Sequence, residues 1–419
     1  MRLSLYTTLF QVAAGLAFSA FLAFSATPTS GTTTGKADLK SAGQLAFGPN
    51  GVLFVGDAVG AAVYAIETAD TKPGAAAANL EIKAINEKIA AMLGTMPDQI
   101  LINDIKVNPI SKKIYLSVSR GRGPDGIPVI LRIDNTGRLE EFPLDNVKYS
   151  MVTLPDAPES KPDAAPKKTP EGMGAGNPRA STITDMSYMD GKVIIAGVSN
   201  EEFSSDLRSV PYPFHSAERG TSSVEIWHSQ HGRYETRSPI RTFIPYTIDK
   251  QPYILATYAC TPLVKMPVSA LKPGAKVEGE TIAELGVHNT PLEMIPYRKE
   301  GHDYILVANS IRGVMKVNVD NLGSYKPIVP KNDACKASRE PAVSVPQGMK
   351  SCGVDFGGTP FETLKDLKGV YQMSKADDTH AVLLQDSAGG DTVAFNAGNA
   401  TVQTPEIKGT LDLKTIALP

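Results

Sequence analysis

Six stretches of this sequence follow one pattern, and repetition at such spacing restricts the fold more than any other feature of the chain. They read "GQLAFGPNGVLFVGD" (43–57), "NDIKVNPISKKIYLSVS", "TDMSYMDGKVIIAGVS", "TFIPYTIDKQPYILATYAC", "LEMIPYRKEGHDYILVANS" and "GVYQMSKADDTHAVLLQDS". Each passes from a short, partly apolar strand through a polar turn into a second strand rich in β-branched and aliphatic residues. Third strands follow, among them "AAVYAIET", "PVILRIDNTGRLEEF", "SVEIWHSQHGRYETR" and "DTVAFNAGNATVQTP". Most continue through a turn into a fourth, more polar strand. A four-stranded meander cannot bury both faces alone, so six of them predict stacking around a common axis. The expected fold is all-β: a six- or seven-bladed β-propeller of four-stranded antiparallel blades, with one short inserted helix. The tail "EIKGTLDLKTIALP" is expected to close the ring against the first blade or to belong to a seventh.

Composition agrees and excludes some partners. The 36 glycines and 31 prolines supply turns for many short strands. Charge is nearly balanced, 42 basic against 44 acidic residues, which argues against nucleic acid or an anionic membrane surface as partner. At the N-terminus, Arg2 precedes the apolar "LFQVAAGLAFSAFLAF", with small residues at Ala23 and Ser25. That predicts a signal peptide over 1–25, a disordered linker over 26–39 and one propeller domain over 40–419. No other segment is apolar enough to span a bilayer, so the mature chain is expected to be periplasmic or secreted.

Three cysteines occur. Cys335 and Cys352 bracket "CKASREPAVSVPQGMKSC", and in an oxidising compartment they predict a disulfide that clamps a loop of about 326–366. Cys260 is left over, a small buried apolar residue or a reactive thiol. Other insertions decorate the ring. Leu80, Ile85, Ile89, Met92 and Leu93 have helical spacing and Gly94 is a stop, which predicts one amphipathic helix against the first or second blade. The Pro/Ala/Lys-rich stretch 154–180 reads as a mobile loop, and 200–220 as an insertion between the second and third strands of its unit.

Aligned by unit, the residues entering the first strands are Gln44, Asp104, Asp185, Thr242, Glu293 and Gly369. If first strands line the central channel, Asp104, Asp185 and Glu293 meet at one mouth. Such carboxylates repel unless a cation or bound protons offset the charge, and an oxygen-rich ring suits Ca²⁺ or Mg²⁺. The other role open to them is to accept hydrogen bonds from a neighbouring blade and lock the blades together. The ends of the second strands, with the loops beyond them, fall on the same face. They contribute Arg120, Arg122, Asn200, Cys260, Asn309 and Arg312 as candidate ligand-binding residues, the arginines for an anionic group. His228-Ser-Gln-His231-Gly232 sits where another unit has Asp134-Asn-Thr-Gly137, and no third metal ligand is near it in sequence, so it reads as a hairpin tip. Motifs for covalent haem, paired-cysteine zinc, a nucleophile elbow, a Walker A loop and a dinucleotide site are absent.

At "LAFGPNGVLFVGD" and "DYILVANSIRGVMKV" the chain resembles the NHL/YVTN and gluconolactonase-like group of secreted β-propellers. The resemblance extends as a degenerate pattern over most of residues 40–400. It implies a divalent metal at the channel mouth held by a Glu, Asn and Asp set, with an Asp as general base, roles for which Glu293, Asn309, Asp104 and Asp185 are available. The Glu usual at the first strand entry is Gln44 here. The leading expectation is a binding or scaffold propeller for a small ligand or protein partner, with "RSVPYPFH" as a candidate anchor patch. A metal-dependent hydrolase of the gluconolactonase type and an accessory protein of periplasmic electron transfer are the alternatives.

Overall fold

The computed structural model describes residues 31–123, 125–159, 178–200, 204–215, 221–260, 262–286, 289–336, 358–388 and 409–419. The signal-peptide expectation, most of the 154–180 loop and Cys352 lie outside the described residues.

The described strands form six sheet units, two of which share an edge. In chain order of their innermost strands they are blade 1 (Leu45–Phe47, Val52–Asp57, Ala62–Glu67), blade 2 (Ile100–Val107, Ile114–Arg120, Ile127–Ile133, Leu139–Phe142) and blade 3 (Asp185–Met189, Lys192–Val198, Ser205–Pro211, Ser222–His228). Blade 4 follows (Thr242–Ile248, Gln251–Thr257, Pro262–Pro267, Lys276–Glu284), then blade 5 (Pro291–Lys299, His302–Asn309, Gly313–Asn318) and blade 6 (Val370–Lys375, His380–Asp386, Leu411–Ala417). Adjacent strands within a blade pair antiparallel, and the outermost strands of blades 3 and 4 pair in parallel. The innermost strands touch in a closed cycle. This is a β-propeller, and the described residues supply six blades.

The order around the ring is not the order in the chain. Innermost strands touch in the sequence 1, 3, 4, 5, 6, 2 and back to 1. Six hydrophobic clusters fill the six seams of that order. Strand Val52–Asp57 shows how one sequence serves two seams. Successive side chains point to opposite faces of a strand. Leu53 and Val55 therefore pack on Tyr115 and Ile130 of blade 2. Val52 and Phe54 pack on Ile183 and Ile195 of blade 3. Because both faces are buried, such strands read as continuous apolar runs rather than alternating ones.

Outer strands come from distant parts of the chain. Blade 1 takes its fourth strand from Val147–Thr153, beyond blade 2, and Thr33–Gly35 adds a fifth. The fourth strand of blade 5 is Phe361–Leu364, which lies inside the region expected to be a cysteine loop. In blade 6 the tail Leu411–Ala417 pairs with His380–Asp386, and Glu81–Ile82 completes the edge. The tail thus closes the ring within blade 6, rather than against blade 1 or in a seventh blade. The region 200–220 also departs from its reading as an insertion, because Ser205–Pro211 is the third strand of blade 3 and Ser222–His228 the fourth.

The expected helix spans Ile85–Leu93 and stops at Gly94 in left-handed geometry (φ 65°). Ile85 and Ile89 are buried in the seam between blades 2 and 6, while Met92 is exposed. Cys335 is buried and disulfide-bonded, Cys260 is free, and Cys335 packs on Trp227 and Tyr234. Among the described residues no helix is long and apolar enough to cross a membrane.

Candidate functional site

First strands begin, and second strands end, on one face of the ring, here called the loop face. Chain direction therefore brings both sets of candidate residues to the same side. Asp104, Asp185 and Glu293 all come from innermost strands, and each is at most 5% exposed. Asp104 accepts hydrogen bonds from the backbone of Leu45 in blade 1 at 2.7 Å and of Ile105 at 2.7 Å. Asp185 does the same between blades 3 and 4, accepting Phe243 N at 2.8 Å and Met186 N at 2.7 Å. Both carboxylates fasten one blade to the next.

The cation among them is Lys106. Its Nζ lies 2.7 Å from Glu293 Oε2 and 3.6 Å from Asp104 Oδ1, reaching from blade 2 to blade 5. Gln372 of blade 6 joins them when its amide nitrogen is turned inward, donating to Glu293 at 3.1 Å and Asp104 at 3.2 Å. Burial pushes Asp104 up to about 8, with Lys106 opposing and Glu293 adding to the rise. Burial and the charge of Glu293 push Asp185 up to about 7. Burial works against the charge on Lys106, but Asp104, Glu293 and Asp185 outweigh it and raise its pKa. Lys106 was legible: it stands two residues beyond Asp104, and side chains two apart on a strand share a face. The donor set does not fit the divalent-ion cage that the resemblance implies, since an ammonium already bridges two of its carboxylates.

The remaining candidates disperse. Arg120 donates to Leu93 O at 3.2 Å and Arg122 to Asp98 O at 2.7 Å, so both serve the segment that carries the helix. Asn200 is exposed, its backbone N–H on Asp156 O. Arg312 lies against the backbone of Gly286, where an added Cβ would come 2.7 Å from its Nε. Asn309 is buried; its Nδ2 donates to Val307 O at 3.0 Å, and its Oδ1 has no partner.

Sequence reasoning missed two features. The first is a concentration of buried polar atoms without partners. Arg241 Nε, Glu284 Oε2, Asn289 Nδ2 and Asn309 Oδ1 are of this kind, as are His228 Nε2 and Gln230 Nε2. These six residues stand at strand ends or in turns of the loop face, on blades 3 to 5. Burial pulls Arg241 down to about 10. The other is the environment of the His228 hairpin. Ser222–His228 and Arg233–Glu235 do form a hairpin, with Gly232 at φ 63° in the turn. The expectation of no third ligand fails, because Cys260 arrives from the loop after the second strand of blade 4. His228, His231 and Cys260 place ligand atoms within 4.8 Å of one another, the one group of three such donors among the described residues. Glu235, buried on the second strand of the hairpin, receives His228 Nδ1 at 2.9 Å and His231 Nδ1 at 2.5 Å.

No family model and no curated protein matches this sequence. Among solved structures it is similar to hydrazine synthase of Kuenenia stuttgartiensis, at 12% identity over 91% of this chain and 97% of that one, with a TM-score of 0.34. A putative oxidoreductase (glucose dehydrogenase) of Thermus thermophilus shares 10% identity over 92% and 99% of the two chains, TM-score 0.29. Drosophila semaphorin 1b extracellular domains share 9% identity over 93% and 86%, TM-score 0.34. Their chemistry does not transfer at this distance, and the fold stands on the strand pairing described above.

Proposed function

We propose that this chain is an exported binding propeller that takes an anionic small ligand on the loop face, over blades 4 and 5. The observation that carries the reading is Arg241. Its Nε is buried without a partner directly before the innermost strand of blade 4. Beside that strand, Asn289 and Asn309 each leave one buried amide atom unpaired, and Arg312 lies against Gly286 in the same loop region. A buried polar atom left unpaired costs about 1–3 kcal/mol, so several on one surface suit a site that a ligand completes. A guanidinium with amides around it favours a carboxylate. Export is supported by the pattern of residues 1–25 and by the disulfide at Cys335.

The test is calorimetric titration of the full mature chain with acetate, succinate, citrate and sulfate. Saturable binding by a carboxylate is expected, weakened about 10- to 100-fold in Arg241→Gln, since hydrogen bonds to charged groups contribute about 1.5–3 kcal/mol. Absence of saturable binding, or equal affinity in the folded variant, overturns the reading.

A further inference from the structure

We propose that His228, His231 and Cys260 form a binding site for one borderline-to-soft transition-metal ion, Zn²⁺ or copper, with Glu235 as the carboxylate that orients both imidazoles. A carboxylate at neutral pH only accepts hydrogen bonds. Its contacts at 2.9 and 2.5 Å therefore place the ring proton on Nδ1 of both histidines. In the neutral form through which histidine binds metals, the lone pair of each imidazole then falls on Nε2. The two rings lie side by side, with centroids 3.9 Å apart, so one acid serves both. His228 is 1% exposed and its Nε2 has no partner in the protein. That atom distinguishes a metal site from a polar cluster or from a thiol–histidine pair. A pair needs only one imidazole, and a second one buried with an idle nitrogen is unexplained by it.

Cys260 supplies the thiolate. It takes left-handed backbone geometry (φ 62°), uncommon for a residue with a side chain, and its N–H is anchored on Asn289 O at 2.8 Å. Thiolate and imidazole donors select zinc or copper over Ca²⁺ or Mg²⁺. Three protein ligands leave a position open, the arrangement of reactive rather than closed structural sites. Glu284 braces the same hairpin, its Oε1 accepting Ser229 N at 2.8 Å while its Oε2 is unpaired. The inference stands apart from anion binding at Arg241, so either can fail alone.

The free thiol makes the test direct, because Cys335 is already bonded and Cys260 is the free cysteine. The purified full chain is stripped of metal and titrated separately with Co²⁺, Zn²⁺ and Cu²⁺. Co²⁺ is expected to give thiolate charge-transfer absorption that saturates at one equivalent and disappears on adding Zn²⁺. Zn²⁺ should also slow alkylation of Cys260 by iodoacetamide at least tenfold. Cys260→Ser should abolish the absorption, and Glu235→Gln should weaken binding about 10- to 100-fold, the usual cost of losing an orienting partner. Because the wild-type thiol is itself the reporter, the result does not depend on a variant folding. The proposal falls if no ion protects the thiol of the folded wild type, or if binding persists unchanged in Cys260→Ser. Rapid alkylation in the presence of all three metals would instead mark Cys260 as a nucleophile paired with His231, and would likewise overturn it.

Discussion

Asp104 and Glu284 are both buried to 0% exposure, yet they are treated differently on the two sides of the ring. Asp104 accepts two backbone N–H groups, lies beside Lys106 and faces the amide of Gln372. Glu284 accepts Ser229 N with one oxygen and leaves the other without a partner. The contrast extends beyond two residues. Every buried side-chain polar atom without a partner among the described residues belongs to residues 182–359, so blades 1, 2 and 6 contribute none. Since unpaired buried groups cost stability and paired ones hold geometry, the first side has the pairing of a scaffold, and the second carries the unpaired groups on which both proposals rest.

The largest break in this comparison is expected from Lys106→Met. It leaves Asp104 and Glu293 buried without their cation, and losing one partner of a buried pair costs about 3–5 kcal/mol. Urea denaturation at neutral pH should show that loss, and a midpoint as high as in wild type would refute the role of Lys106. The pH dependence is next in size. A buried acid whose folded pKa is raised binds more protons when folded, so its contribution falls as pH climbs from the unfolded value. For Asp104 that window runs from 3.8 to about 8. Stability should therefore decline across it, and Asp104→Asn should flatten the decline in denaturation curves measured along a pH series. On the opposite side, Glu284→Gln keeps an acceptor for Ser229 N and removes an acid whose pKa burial raises. Its effect on unfolding free energy should stay within about 1 kcal/mol and be stabilising if anything. A loss as large as that of Lys106→Met would erase the distinction between the two sides.

Much of the fold was legible because the strand pairs are local. The turn between Phe47 and Val52, or between Met189 and Lys192, joins two apolar strands within a few residues, and spacing alone reveals it. The ring order was not legible. Leu53 and Phe54 face different blades, but nothing in either residue says which blade, and seams of Val, Ile and Leu are chemically interchangeable. Outer strands such as Val147–Thr153 and Phe361–Leu364 pair across long intervals and carry no local turn that names their partner.

The site divides along the same line. Three acids aligned by unit were found, and Lys106 was within reach of the same reasoning. His228 and His231 were noticed, but their third donor comes from another blade. Arg241 and Asn289 carry no signal in sequence, because an unpaired atom is defined by what surrounds it.

The interleaving of blades 1, 2 and 6 also sets a timetable for assembly. The sheet that begins at Leu45 lacks its fourth strand until residue 153 has been made, and Glu81–Ile82 has no edge to join until Leu411–Ala417 appears. A chain growing from its N-terminus therefore carries open strand edges from its first blade until Leu411–Ala417 is made. Such edges invite pairing with other chains. Blade 6 is complete only once Leu411–Ala417 lies between His380–Asp386 and Glu81–Ile82, which makes that strand its latch.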